Sequence, residues 1–378
     1  MLRCGIMKKK RSFLDMKTLL LGDVCPSKVT TELFRDKKTN ELFGDFIPVM
    51  KDSDFTFVNL ECAITESDGK IKKFGPNLKA PRQTADILKE LGVDLCGLSN
   101  NHIFDFGVVG AKDTLAALDE VGIPYTGFGK NYEDARKNYF FEKNGERIAI
   151  VAVSEHEFCG ALPNRMGSRT FDEFETMDDI RDARKSADRV IVIYHGGKEY
   201  SKFPSPRLRK ACRAMVRAGA DVVLCQHSHC VGCYERFEGA HILYGQGNFN
   251  FVALMDIECW HYALAVKYDT VSGEIEFVPI HESGSGICLA KGDAGEKILR
   301  EFEERNNDLH NGKWLEHWHD FCVREKRLYI EGIAKAGLPE STDYDNGLFA
   351  QLLHCEAHND VWRELYKTWN ETNCLGEE

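Results

Sequence analysis

The feature that most constrains this chain is the alternation of short apolar runs with amphipathic helical stretches in its first two-thirds. Brief runs rich in Val, Ile and Leu predict buried strands at residues 18–22, 55–60, 93–98, 148–153, 190–194 and 221–224. Between them, residues 108–121 and 206–218 have helical periodicity, and Leu115, Leu118 and Val121 share one face of the first helix. Strands and helices in this order indicate an α/β fold.

After Cys230 the pattern changes to that of hairpins. The predicted strand pairs are residues 234–237 with 241–244, and 261–268 with 274–279. A chain that begins in βαβ units and continues in hairpins predicts two sheets packed face to face with helices outside, a four-layer α-β-β-α sandwich. We place this domain at residues 17–285.

The last part of the chain, residues 290–378, is predicted to be a helical extension. Helical patterns cover residues 294–306, 315–335 and 346–372, and no catalytic spacing is recognisable among them. We expect this extension to pack on the core or to mediate oligomerisation.

Composition excludes some classes of protein. With 378 residues the chain can bury a large core, and a formal charge of -11 argues against nucleic acid or an anionic membrane as the main partner. An anionic small-molecule or polymer substrate stays open, because a metal ion reverses the local field. No apolar run approaches the roughly 20 residues of a spanning helix, so we expect a cytoplasmic protein without a signal peptide.

The cysteines are expected to be reduced core thiols. There are 14 of them, scattered through a large chain and often in apolar surroundings. Cys230 and Cys233 have the C-x-x-C spacing of zinc or redox sites, which is an alternative for that pair.

Polar residues follow the predicted strands, where open α/β sheets place their sites. They are Asp23, Asn59 and Glu61, then Asn100, Asn101, His102 and Asp105, and finally His195, His227 and His229. Each group has an ordinary alternative: the asparagines suit a helix-capping turn, and a lone histidine is often a core residue. Together they form a mixed oxygen and nitrogen ligand set, which suits one or two ions of Mn, Fe or Zn, with Glu61 as the candidate bridge.

These residues lie in stretches with a recognisable order. The stretches are LGD at 21–23, VNLE at 58–61, GPNLKAP at 75–81, LSNNHIFDFG at 98–107, HGGKEY at 195–200, GADVV at 219–223, QHSH at 226–229 and YGQGNFNF at 244–251. In combination they resemble the CapA family of capsule and poly-γ-glutamate synthesis proteins, whose fold is similar to that of the calcineurin-like metallophosphoesterases. The resemblance covers residues 17–285.

The resemblance implies a role for each matching residue. Asp23 and His229 would bind the first metal, Glu61 would bridge, and Asn101, His195 and His227 would bind the second. His102, steadied by Asp105, would be the general acid or transition-state stabiliser. Substrate-binding or orienting roles are expected for Asn59, Asn100, Lys73, Glu199 and Asn248.

The sequence also departs from the wider superfamily. Cys25 stands where an Asp-x-His element usually has its histidine, so the first metal loses a ligand unless the thiolate substitutes. The bridge is Glu61 rather than an aspartate, and Gln226 replaces a common glycine. A single metal ion, or a fold kept without fast hydrolysis, therefore stays open.

The leading expectation is hydrolysis of a phosphoester or phosphoanhydride by metal-activated water. Lys72, Lys73, Lys79 and Arg82 form either a basic lip that recruits the anion or a solvated charge run. The alternatives are a non-catalytic binding or accessory protein of capsule or polyglutamate assembly, and a metal-dependent amide hydrolase that acts on polyglutamate.

Overall fold

A computed structural model describes residues 16–252 and 257–372, with the side chains of the last helix described through residue 367. The strands are β1 (Lys17–Val24), β2 (Phe55–Leu60), β3 (Ala63–Ile64), β4 (Lys79–Ala80), β5 (Leu95–Gly97), β6 (Tyr125–Thr126), β7 (Phe128–Gly129), β8 (Tyr139–Lys143), β9 (Glu146–Ser154), β10 (Gly167–Ser168), β11 (Arg189–His195), β12 (Val222–Gln226), β13 (Tyr234–Phe237), β14 (Ala240–Leu243), β15 (Asn248–Asn250), β16 (Tyr262–Asp269), β17 (Ile275–Ser283) and β18 (Gly286–Leu289). The helices are α1 (Thr31–Arg35), α2 (Thr39–Phe43), α3 (Ile47–Lys51), α4 (Gln83–Leu91), α5 (Gly107–Val121), α6 (Tyr132–Ala135), α7 (Glu175–Ser186), α8 (Pro206–Ala218), α9 (Asp293–Asn311), α10 (Trp314–Ala336), α11 (Asp343–His354) and α12 (Glu356–Thr372).

Two sheets contain most of the strands. The first has the order β18-β17-β16-β1-β2-β5-β6, with β15 beside the end of β1, and the second has the order β13-β14-β12-β11-β9-β8. Strands β1, β2 and β5 run parallel, as do β9, β11, β12 and β14. The hairpins β13–β14 and β16–β17 are antiparallel, which confirms the predicted change of pattern.

Alternate residues along the strands divide the core into layers. Leu20 and Phe57 from the first sheet share one apolar cluster with Ile191 and Leu224 from the second, so the two sheets pack face to face. The opposite face of the first sheet packs on α1, α2, α4 and α5, and that of the second on α7 and α8. The predicted α-β-β-α order of layers is therefore confirmed.

Several elements differ from the sequence prediction. Helices α1, α2 and α3 have five residues each and were not predicted from the sequence. A helix of little more than one turn is too short to show hydrophobic periodicity. The predicted helix at residues 346–372 is two helices, since Cys355 has an extended backbone with φ -78° and ψ 134°.

The C-terminal helices divide into two groups. Helix α9 contributes Ile298 and Phe302 to the cluster between the sheets, whereas α10, α11 and α12 enclose a cluster of their own that includes Trp318, Tyr329 and Leu352. The predicted domain boundary between residues 285 and 290 stays a prediction. Among the described helices, none combines the length and apolar character needed to cross a bilayer.

Candidate metal centre

The predicted site residues meet where the parallel strands of both sheets end. Asp23 on β1 is the register partner of Asn59 on β2, and Glu61 directly follows β2. In the second sheet His195 is the last residue of β11 and pairs with the last residue of β12, which His227 follows. Because the two sheets face each other, these strand ends meet in one buried cluster, which we call the rim: Asp23, Asn59, Glu61, His195 and His227.

His195 Nε2 is surrounded by donor atoms from three other residues. Asn101 Oδ1 lies 3.0 Å away, Glu61 Oε1 3.2 Å and His227 Nδ1 3.2 Å. Ligand atoms bound about 2.0–2.2 Å from one metal ion lie roughly 3 Å apart, so this spacing fits a shared cation.

A second group of possible ligands comprises Asp23, Glu61 and His229, whose donor atoms lie within 4.8 Å of one another. His229 Nδ1 is 3.8 Å from Asp23 Oδ2. Glu61 belongs to both groups, which is the position expected of a bridging carboxylate.

The backbone bends sharply between the two groups. His227 and His229 have φ values of 78° and 54°, in the left-handed region that residues other than glycine seldom adopt. Asp23 Oδ2 accepts a hydrogen bond of 3.2 Å from the backbone N–H of His227, which helps to hold the bend. Such strain is found mostly at functional sites, and here it lets both imidazoles reach the rim.

Of the two carboxylates of the rim, Asp23 has hydrogen-bond donors at both oxygens, whereas Glu61 is poorly satisfied without a cation. Glu61 is 0% exposed, and its oxygens accept no well-aligned hydrogen bond among the described residues, although Oε1 lies 3.2 Å from His195 Nε2. Burial raises the pKa of Glu61 to about 8, and burial together with the charge of Glu61 raises the pKa of Asp23 to about 6. The donor set therefore fits a divalent cation, which would compensate both negative charges.

The histidines are suited to metal binding as well. Burial lowers the pKa of His195 to about 3 and that of His229 to about 4, so both rings are neutral near pH 7. Burial alone would also lower the pKa of His227, but the charges of Glu157, Glu199 and Glu61 raise it.

His102 lies in a separate arrangement beside this rim. Its Nδ1 is 2.7 Å from Asp105 Oδ2 and 3.1 Å from Lys73 Nζ. Burial and the Lys73 charge lower the pKa of His102 to about 4. The predicted contact between His102 and Asp105 is thus present, and the geometry adds Lys73 to it.

The four basic residues of the predicted lip, Lys72, Lys73, Lys79 and Arg82, each pair with a carboxylate and do not form a shared basic surface. The side chain of Lys73 is 1% exposed and lies 2.5 Å from Asp105 Oδ1, so it is buried and paired rather than open to an anion. The other three also pair with carboxylates: Lys72 with Asp343, Lys79 with Asp68, and Arg82 with Glu120.

Asn59 and Asn100 are internal supports, so their predicted contact with substrate is not what the geometry favours. Asn59 Nδ2 lies 2.7 Å from Asp23 Oδ1 and 3.2 Å from His195 Nδ1. Asn100 is 0% exposed, donates to Asn59 Oδ1 and accepts from the backbone of His102. Their polar groups are already used in holding the rim together.

Glu199 and Asn248 lie at the rim itself. Burial alone would raise the pKa of Glu199, but the charges of Lys198 and the neighbouring histidines lower this pKa to about 2. Asn248 Oδ1 is 2.8 Å from His229 Nδ1, while its Nδ2 is buried without a partner among the described residues. Asn248 thus orients the ring of His229 and keeps one unused donor.

Three cysteines that the sequence singled out, Cys25, Cys230 and Cys233, are not among the grouped donors of the described residues. Cys25 is fully buried in the apolar core, and burial raises the pKa of its thiol, so a thiolate ligand in place of the missing histidine is not supported. Cys230 and Cys233 are buried free thiols that belong to no metal-like group of the described residues.

Sequence reasoning missed Glu155 and Glu157. Both follow β9, the neighbour of β11, and both are buried close to the rim. The signal was present, because β9 was predicted and its end belongs to the same sheet edge, but no familiar motif marks it.

The C-terminal helices cover this region. Cys355 Sγ lies 3.7 Å from Glu155 Oε2 and 3.6 Å from Glu157 Oε1, and Glu155 accepts from the backbone of Ala357. Between the loop after β9 and α11 there is a cavity of about 580 Å³, lined by Glu157, Leu162, Ala350 and other residues.

Comparison with known proteins identifies a protein family that matches most of the chain. The family described as "Bacterial capsule synthesis protein PGA_cap" matches residues 17–253. The "Capsule biosynthesis protein CapA" of Bacillus anthracis is 31% identical over 64% of this chain, and the chain spans 61% of that relative's length. The "PGA biosynthesis protein CapA" of Bacillus subtilis is 28% identical over 76% of this chain and 77% of that protein. A hypothetical protein from Thermus thermophilus, whose crystal structure is solved, is 17% identical over 71% of this chain and 100% of that one, with a TM-score of 0.46.

Proposed function

This chain belongs to the PGA_cap family of bacterial capsule synthesis proteins, and from that premise we propose that it hydrolyses a phosphoester or phosphoanhydride with one or two divalent metal ions. The proposal rests on Glu61, a fully buried carboxylate that is shared by two groups of donor atoms and accepts no well-aligned hydrogen bond among the described residues. A cation is the partner that this carboxylate fits. The mixed oxygen and nitrogen donors favour Mn, Fe or Zn.

The proposed ligands divide into two sets joined by Glu61. Asp23 and His229 would hold one ion, and Asn101, His195 and His227 the other. When bound, a divalent ion supplies Lewis acidity, which lowers the pKa of an attacking water and neutralises phosphoryl oxygens. The side chains of the rim fix the direction from which water and phosphate approach.

His102 is the proposed proton donor to the leaving group. Asp105 orients its ring through the 2.7 Å contact with Nδ1, and Lys73 fixes Asp105. The ring is neutral near pH 7 before substrate binds, since its pKa is about 4. The negative charge of a bound phosphoryl group raises that pKa, so His102 gains its proton as substrate enters.

The test uses the purified protein, manganese and a generic aryl phosphate. We expect His102→Ala to lower kcat by about 10²–10⁴-fold with unchanged metal content, because His102 is not a proposed ligand. His195→Ala should lose both turnover and metal. His310→Ala, on the exposed end of α9, is the matched control and should behave as wild type.

Other outcomes identify the alternatives. Stoichiometric metal without turnover of any phosphoester would support a binding or accessory protein, which the family name allows because it refers to a process and not to a reaction. Release of free glutamate from polyglutamate would support an amide hydrolase.

A further inference from the structure

Glu157, in the loop after β9, lies between the proposed second-site ligands and the C-terminal helices. We propose that Glu157 is a positioning residue that holds His227 and Asn101 in the orientation needed to bind the second metal ion. This inference rests on the proposed metal centre. It adds a residue from outside the motif stretches and gives the C-terminal helices a part in the site.

Both oxygens of Glu157 are used on the side that faces the rim. Oε1 lies 3.3 Å from His227 Nε2, and Oε2 accepts a hydrogen bond of 2.9 Å from Asn101 Nδ2. Each partner turns its other polar atom toward His195 Nε2, with His227 Nδ1 at 3.2 Å and Asn101 Oδ1 at 3.0 Å. One carboxylate thus fixes the orientation of two donor atoms.

Only a carboxylate satisfies both neighbours. The Nε2–H of a metal-binding His227 and the amide N–H of Asn101 are donors, so Glu157 must offer two acceptors. A glutamine there offers one acceptor and one NH₂ group. That NH₂ would face a donor, and either the imidazole would change tautomer or the amide of Asn101 would turn its oxygen away from the rim. The side chain of Glu157 is only 5% exposed.

The C-terminal helices hold Glu157 from behind. Cys355 Sγ lies 3.6 Å from Oε1, and Gln351 Nε2 lies 3.5 Å from Oε2. The neighbouring Glu155 accepts from Ala357 N–H at 3.1 Å and from Arg207 at 2.5 Å. The loop is therefore fixed between the second sheet and the junction of α11 and α12.

The test measures metal binding rather than turnover. We expect titration calorimetry with Mn²⁺ on chelator-treated full-length protein to show that Glu157→Gln weakens the second ion about 10–100-fold, as loss of such supports usually does. The first ion should keep its affinity, and in Glu157→Gln the spin coupling between paired manganese ions should disappear from the electron paramagnetic resonance spectrum. Glu173→Gln, an exposed glutamate before α7, is the matched control.

The outcomes separate this inference from the proposed function. If the wild type binds manganese and Glu157→Gln binds it with unchanged affinities, Glu157 is not a positioning residue and the metal centre stands. Equal weakening of every ion, together with a lower melting temperature of the metal-free variant, would mean a merely structural role. If the wild type binds no manganese, the metal centre itself is wrong.

Discussion

The carboxyl of Glu61 has a pKa raised by burial to about 8, and that of Asp23, also buried and close to Glu61, has one of about 6. In the unfolded chain such groups titrate near pH 4. Each therefore keeps a proton in the folded, metal-free protein over a pH range in which the unfolded chain has lost it. Folding is linked to proton binding in that range, and the linkage has a definite sign.

The first prediction concerns this linkage. Between about pH 4.5 and 8 these two carboxyls should each contribute a loss of stability of the metal-free protein as pH rises, by up to about 1.4 kcal/mol per pH unit. Buried histidines with lowered pKa values, such as His195 and His229, act in the opposite direction below about pH 6.5. Above about pH 6.5 most of the contribution from the carboxyls should come from Glu61, so the stability of Glu61→Gln should fall less with rising pH than that of the wild type. Urea unfolding of chelator-treated protein at pH 5.5, 6.5 and 7.5 measures it, and parallel profiles for the two proteins would contradict the assignment.

Residues of the rim could be predicted because each directly follows a recognisable strand within a motif. The pairing of Lys73 with Asp105 could not be predicted, since Lys73 lies in the irregular segment between β3 and β4, 32 positions before Asp105. Glu157 was missed although the strand before it was predicted, because its partners lie after β5, after β12 and in α11, and no local pattern encodes their meeting.

At the scale of elements, α12 is fixed to the second sheet's helix layer by a buried acid. Asp360 Oδ2 accepts from Ser205 Oγ at 2.5 Å and from Arg207 Nε at 2.8 Å. Asp360→Ala should reduce the free energy of unfolding by about 1–3 kcal/mol, because a hydroxyl and part of a guanidinium lose their acceptor. Arg207 keeps its contact with Glu155, which limits the loss.

The control for this prediction lies one turn away. Arg363 Nη1 is 3.7 Å from Asp360 Oδ1, but the Arg363 side chain is 72% exposed. Arg363→Ala should change the free energy of unfolding by less than about 1 kcal/mol. Urea denaturation of the two variants tests this prediction. Equal losses of the free energy of unfolding in both would show that Asp360 does not fix α12.

Helix α11 forms one wall of the 580 Å³ cavity next to Glu157. Because the proposed ligands are at most 6% exposed, we expect the part of a substrate beyond its phosphoryl group to lie in this cavity. Ala350→Trp should fill it from an exposed helical position and raise KM several-fold, with unchanged manganese affinity. Ala334→Trp, also exposed but on α10, is the control, and equal KM values in both variants would exclude this route.

At the scale of the molecule, the two-sheet core was predictable because its strands are apolar on both faces and follow one another at regular intervals. The position of α10, α11 and α12 was not, because their contacts with the core depend on dispersed polar pairs such as His156 with Glu356, 200 positions apart. Periodicity predicts that a segment is helical and which face is apolar. It does not predict which other surface that face will cover.

The last prediction follows from the way the rim joins the two sheets. Asp23 and Glu61 come from the first sheet, His195 and His227 from the second, so a cation among them would link the layers at one end. Adding Mn²⁺ to chelator-treated protein should slow hydrogen exchange at the ends of β1, β2, β11 and β12, including the N–H of His227 that binds Asp23. Exchange in β17 and β18, at the far edge of the first sheet, should not change. His195→Ala should abolish the effect, whereas slowing spread evenly over the chain, or confined to one sheet, would mean that the ion does not join the layers.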